Sequence, residues 1–207
     1  MLIQVVLAAI SWLMIPLGWL PGHSGRRRIS GHLGSAVNFA AIAIGGLILI
    51  TMPLLAQPRF IGSLRLGLGV AGALLVSVGA ILWGWSVRLL EPSVDWGDES
   101  NPKYLVIQGP YKRMRHPIYV GAVTLMVGWI LLNGALYSPL LCPIFYLMFH
   151  FEAYLEEKFI LGPKFGEEFQ RYKEQIPAFF GRVGTAILAL IYLLFVIAVA
   201  LGFVPIR

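Results

Sequence analysis

Residues 184–203, GTAILALIYLLFVIAVALGF, hold no charged side chain. At 1.5 Å rise per residue a helix of that length crosses the hydrocarbon core of a bilayer. Five further apolar runs precede it, at roughly 3–20, 35–56, 66–90, 117–135 and 138–160, separated by polar connections marked with glycine or proline. In lipid each run must satisfy its own backbone N–H and C=O groups, which leaves the helix as its fold. The expectation is an all-α integral membrane protein with about six transmembrane helices. Composition agrees: 58% of the 207 residues are hydrophobic and 13% charged, where a soluble domain carries about 25% charged residues. The segment PKFGEEFQRYKEQIPAFFGR at 163–182 is too polar to span. Its mixed helical pattern suits a helix lying at the membrane surface.

Charge gives the orientation. Arg26, Arg27 and Arg28 follow the first run instead of preceding it, which argues against a signal peptide and for an uncleaved first helix. With both termini outside, thirteen of the sixteen Lys and Arg residues fall on inner connections, and only Arg59, Arg65 and Arg207 fall outside. That asymmetry is the positive-inside pattern. It also accounts for the net charge of +6 without nucleic acid, and no aromatic–basic repeats point to such a partner. The lone cysteine, Cys142, permits neither an intramolecular disulfide nor a cysteine-based metal site; no metal is expected. Short length and the absence of long tails suggest a prokaryotic cytoplasmic membrane. Oligomeric state is not legible.

Two clusters break the apolar pattern. In YLMFHFEAYLEEKF, near the end of the fifth run, His150, Tyr154 and Glu157 share a helical face, with Glu152 and Glu156 a third of a turn or more away. Glu156 and Glu157 can mark the interface, but His150 and Glu152 lie deeper. A charge at mid-bilayer costs about 2.5–3.5 kcal/mol, so a cavity or internal partner is expected there. These three, His150, Glu152 and Tyr154, are candidate substrate contacts. The second cluster is GPYKRMRHPIYVG, Gly109 to Gly121. Its prolines set a turn and a helix start, and the N–H groups of that start favour an anion beside Arg115 and His116. Lys112 and Arg113 are explained by anchoring to anionic headgroups.

LVIQGPYKRMRHPIYVG, followed by LEEKF and KFGEEFQRYKEQIPAFF, resembles the isoprenylcysteine carboxyl methyltransferase and phospholipid methyltransferase superfamily over about residues 60–180. The glycine-rich third run, ending in Trp83, Trp85 and Arg88, fits that family's upstream helix. The resemblance implies a membrane-embedded enzyme using S-adenosylmethionine near the cytoplasmic face. It implies cofactor contacts from Gly109, Tyr111, Arg115, His116, Pro117, Tyr119, Glu156 and Glu157, with Arg115 and His116 also as catalytic candidates. The acceptor would be a lipid or lipidated molecule in the bilayer. An acceptor carboxylate would be ionised already; an amine would have to lose a proton to His116, His150 or a glutamate.

The chain then divides into an N-terminal helix pair with a basic loop (1–59), a methyltransferase-like core (60–180) and an additional C-terminal helix (181–207). That last helix lies beyond the point where many family members end. The acidic connection with Asp95, Asp98 and Glu99 reads as a solvated loop or a lid. An NADPH-dependent reductase of the sterol reductase type is the competing enzyme reading. It typically carries RHPNY, where this chain has Ile118 in the asparagine position. A non-enzymatic membrane scaffold is the third.

Overall fold

The structure, a computed structural model, describes Leu47 and residues 50–94 and 102–202. The first apolar run, the Arg26–Arg28 loop, most of the second run and Asp95, Asp98 and Glu99 lie outside the described residues. Those described are helical, joined by 3-10 turns at Met52–Leu54, Gly109–Lys112 and Ser138–Leu141. The helices are α1 (Gly62–Leu90), α2 (Pro117–Asn133), α3 (Cys142–Glu156), α4 (Gly162–Gln175) and α5 (Gly181–Ala200), with a wide π turn, Glu157–Leu161, joining α3 to α4.

Of the six expected spans, two, α1 and α5, are long and apolar enough among the described residues to cross a bilayer. α2 is apolar but shorter, and its 17 residues reach about 25 Å. Leu66, Ile81 and Val183 are each more than two-thirds exposed, and α5 buries none of its residues. Apolar helix surface left uncovered in this way suits lipid and not water.

α1 and α2 pack antiparallel, and glycines let their backbones meet. A Cβ on Gly72 would lie 2.4 Å from the Leu132 nitrogen and 2.7 Å from the Gly128 oxygen. One on Gly79 would lie 2.5 Å from the Leu125 nitrogen and 2.9 Å from the Gly121 oxygen. Gly121 and Gly128 reciprocate against Trp83 and Val76. The seven-residue spacing on both helices keeps these notches on one seam, the small-residue packing of membrane helices. Elsewhere along α1, Gly67 and Gly84 meet no other group among the described residues and Gly69 meets only the Arg65 side chain.

At one end of this pair Phe60 N–H donates to the Gly134 carbonyl (3.1 Å), and Arg59 donates to the Asn133 carbonyl (2.7 Å). The other end gathers the C-terminus of α1, the start of α2 and the end of α3. α3 buries Phe145, Met148 and Leu155 against Val123, Met126 and Ile130 of α2. A second cluster, Val120, Ala153 and Phe179 with Tyr146 and Phe149 packed on it, lies beside the first. The surface helix expected at 163–182 ends earlier, at Gln175, and is broken at Gly166, whose φ of 50° and ψ of −122° no other residue type adopts readily. Only Phe169 is buried in it.

Candidate functional site

The site forms because a proline-started helix and the end of α3 reach the same place. Pro117 occupies the first position of α2 with His116 as its N-cap, so Arg115 and His116 sit at the lip of the helix. The chain there is clasped from outside: Arg115 N–H donates to the Pro177 carbonyl (2.9 Å) and His116 N–H to the Ala178 carbonyl (3.0 Å). Arg115 also donates from Nη1 to the carbonyls of Ile176 and Lys173. The RHP element and the IPAF element are therefore one unit.

Against this unit stands the carboxylate pair. Arg115 Nε donates to Glu157 Oε1 at 2.8 Å, His116 Nε2 reaches the same oxygen at 3.0 Å, and Lys173 Nζ meets Glu157 Oε2 at 2.9 Å. His116 Nδ1 lies 3.4 Å from Glu156 Oε2, which also accepts from the Tyr119 hydroxyl at 3.1 Å. One imidazole thus bridges two consecutive carboxylates, each facing a different ring nitrogen, and the wide turn of backbone begins at Glu157 itself. Such π turns recur at functional sites.

Burial opposes the charge on His116, but hydrogen bonds and charge from Glu156 and Glu157 outweigh it and raise its pKa above the ordinary 6.5. Burial likewise opposes ionisation of Glu157. The donors His116, Arg115 and Lys173 prevail and hold its pKa at about 2. The centre is a histidine drawn toward its charged form and an ionised carboxylate, in a nearly closed setting. The Glu157 side chain is 7% exposed and Glu156 29%. Glu156 is the acid that still faces outward.

Rings cover the cluster. His116 stacks on Tyr119, with centroids 5.5 Å apart and planes 8° apart, and on Phe179 at 5.9 Å. Tyr119 stacks on Phe149 at 5.3 Å, and Phe179 stacks on His150 at 4.0 Å.

Six of the eight pocket candidates fall around this cluster in two ways. Arg115, His116, Tyr119, Glu156 and Glu157 are in mutual contact, and Pro117 starts the helix beneath them. Gly109 and Tyr111 instead hold the loop to α1. Gly109 takes a φ of +53° and would drive a Cβ into Leu89 and the Trp85 ring, and the Tyr111 hydroxyl donates to the Ser86 carbonyl (3.3 Å). Burial raises the Tyr111 pKa further from neutrality. Among the substrate candidates, His150 joins the rings and Glu152 is buried on the other face of α3. Tyr154 points outward beside Lys158, whose Nζ lies 5.5 Å from its ring.

Two contributors escaped the sequence reading. Phe179 links His116 to His150; its signal was the IPAFF element, quoted but not weighed as part of the site. Lys173 closes the cluster from α4 and has no signal in the sequence beyond being one lysine among several. An open groove of about 540 Å³ lined by Gly62, Arg65, Leu66, Gly69, Val70 and Ala73 lies toward the opposite end of α1, remote from these groups.

Among the described residues, uncovered apolar helices and an ion cluster enclosed at one end of a helix pair are the marks of a membrane protein with a buried polar site. Residues 68–168 match the family model for phospholipid methyltransferase, a stretch running from α1 through the RHP element and the carboxylate pair into α4. Over that stretch the match bears out the superfamily resemblance read from the motifs. No match to the chain was found among curated proteins or solved structures.

Proposed function

We propose that the chain is an S-adenosylmethionine-dependent methyltransferase of the membrane, acting on a lipid or lipidated acceptor. The observation that carries this is the meeting of Arg115 and His116 with Glu156 and Glu157 under a roof of aromatic rings, within the segment that matches a methyltransferase family.

The residues present suit the donor. It is a cation with a nucleoside, so it needs an outward carboxylate and flat apolar faces. Glu156 supplies the first, because its carboxylate is partly exposed while Glu157 is spent on three cationic partners. Tyr119, Phe149 and Phe179 supply the second. The carboxylate of the donor would be held by backbone N–H groups at the start of α2 or by the exposed Lys112 and Arg113. Arg115 is committed to Glu157 and to two carbonyls, so its part is to fix the shape of the pocket. When bound, the donor supplies a methyl group on a positively charged sulfur.

Displacement at that carbon asks the protein for alignment more than for acid–base work. His116, gripped at both nitrogens, orients the carboxylates and balances their charge. The acceptor, of the prenylcysteine carboxylate or phospholipid amine type, approaches from the bilayer, and the basic end of the bundle faces the cytoplasm. The thirteen-to-three distribution of Lys and Arg supports that orientation. Incubating the reconstituted protein with methyl-labelled S-adenosylmethionine over a panel of membrane lipids tests the proposal. Label should appear in a lipid product, and no transfer to any lipid or lipidated acceptor, with no donor binding, would overturn it.

A further inference from the structure

Arg59 and Arg65 sit at the end of the α1–α2 pair opposite the ion cluster. About 30 Å of helix axis separates Arg65 from Ser86, where Tyr111 touches α1. The two arginines are used differently. Arg59 donates from Nη1 to the Asn133 carbonyl and from Nη2 to the Pro53 carbonyl, and the neighbouring Gly134 carbonyl accepts from Phe60 N–H. The Arg65 side chain makes no hydrogen bond and no ion pair among the described residues.

Arg65 is nevertheless held in place and only partly exposed. A Cβ on Gly134, the cap of α2, would lie 2.6 Å from its Cδ and Nε, and one on Gly69 would lie 3.1 Å from its Nη1. Glycines on two sides thus leave the space that the guanidinium fills. The same side chain lines the open groove of about 540 Å³, with Gly62, Leu66, Gly69, Val70 and Ala73, a volume within the range of small-molecule sites, roughly 300–1,000 Å³. From Arg65 the groove continues to Ala73 for about 12 Å along the axis, most of one leaflet of a hydrocarbon core about 30 Å thick. A fork of unused N–H donors therefore stands over an apolar trough. A second apolar helix laid there would cover the guanidinium without a counter-ion, which is costly in lipid. A small free anion would match Arg65 and leave Leu66 and Val70 bare. A phosphate carrying an acyl chain meets both parts, because the guanidinium fork fits phosphate oxygens two at a time.

We propose that Arg65 and this groove hold one anionic phospholipid, its phosphate paired with the guanidinium and an acyl chain laid along Leu66, Val70 and Ala73. The lipid is a bound component at the far end of the helix pair and not a methyl acceptor. The inference does not depend on the methyltransferase reading.

Native mass spectrometry of the full-length protein in dodecylmaltoside tests this, with dioleoylphosphatidylglycerol, dioleoylphosphatidylcholine and inorganic phosphate as probes. The wild type should retain one phosphatidylglycerol at a concentration about tenfold or more below that needed for phosphatidylcholine. Arg65→Leu removes the fork and should abolish that preference, a loss of about tenfold or more. Ala73→Phe keeps Arg65, fills the trough and should weaken phosphatidylglycerol binding by about tenfold as well. Arg88→Leu, at the other end of α1, should change it less than about threefold. Since Arg65 makes no bond within the described residues, the lipid-free melting temperature of Arg65→Leu should stay within about 2 °C of the wild type. Equal retention of the two lipids would overturn the proposal, as would a preference that survives Arg65→Leu or is lost equally in Arg88→Leu. Unchanged binding in Ala73→Phe, or displacement of the lipid by millimolar inorganic phosphate, would leave an anion site without a lipid and overturn it too. A lipid-free melting temperature that falls with Arg65→Leu would give Arg65 a partner within the protein and contradict the assignment.

Discussion

Glu157 Oε1 lies 2.8 Å from Arg115 Nε and 3.0 Å from His116 Nε2, so one carboxylate oxygen joins the end of α3 to the start of α2 through two consecutive basic side chains. Lys173 takes the other oxygen from α4. Three helices converge on a single side chain.

Removing that charge leaves the buried Arg115 without its counter-ion and His116 Nε2 without its carboxylate partner. Glu157→Gln should therefore cost about 3–5 kcal/mol of stability. Glu156→Gln, at a more exposed carboxylate, should cost about 1 kcal/mol or less. Thermal unfolding of both variants in the same detergent measures the difference. Equal losses would contradict the division of labour between the two acids.

The same cluster sets a pH dependence with a defined sign. The folded pKa of His116 is raised above 6.5, so its contribution is complete below 6.5 and is lost as pH climbs through the raised value. The folded pKa of Glu157 is lowered from 4.5 to about 2, so its contribution is complete above 4.5 and is lost as pH falls toward 2. Melting temperature should peak between pH 4.5 and 6.5 and decline on the alkaline side. His116→Gln should flatten that alkaline decline, and a decline unchanged by the substitution would assign it to another group.

The helix seam distinguishes glycines that look alike in the sequence. Gly72→Ala and Gly79→Ala would push a methyl group into the backbone of α2, and each should cost about 1–3 kcal/mol. Gly67→Ala and Gly84→Ala meet nothing within 4 Å among the described residues and should gain about 0.5–1 kcal/mol from helix propensity. Thermal melts of the four variants check the contrast.

α5 is held to the core by few contacts, among them the Tyr146–Thr185 pair and the Phe60–Phe195 rings at 6.2 Å. Thr185→Val should cost about 1 kcal/mol. It should also speed cleavage in the segment joining α4 to α5 under limited proteolysis; an unchanged digestion rate would show that the pair does not secure the helix.

Much of the site was legible because its parts announce themselves locally. Proline after His116 dictates a helix start there, and carboxylates in an apolar run must find partners. That Arg115–His116 and Glu156–Glu157 belong to one site was legible through the family resemblance of their motifs, not from either cluster alone. Helix ends were less legible. α1 begins at Gly62, before the run expected from 66, because hydropathy marks where a helix can meet lipid and not where its backbone ladder starts. The π turn at Glu157 and the break at Gly166 leave no periodic trace, since both are local departures from the 3.6-residue repeat. The roles of Phe179 and Lys173 depend on the backbone pairing of residues 115–116 with 177–178, a long-range contact that no local pattern encodes. The sequence also offers six glycines on α1, and only the partner helix decides that Gly72 and Gly79 are the ones that matter.

The central claim is that this cluster holds a methyl donor, and calorimetric titration of the purified protein in nanodiscs with S-adenosylmethionine, and separately with NADPH, tests it most directly. Saturable binding of S-adenosylmethionine is expected, abolished by Glu156→Gln in a protein that retains its melting temperature, with no binding of NADPH. Failure to bind S-adenosylmethionine, or binding that Glu156→Gln leaves unchanged, would contradict the account.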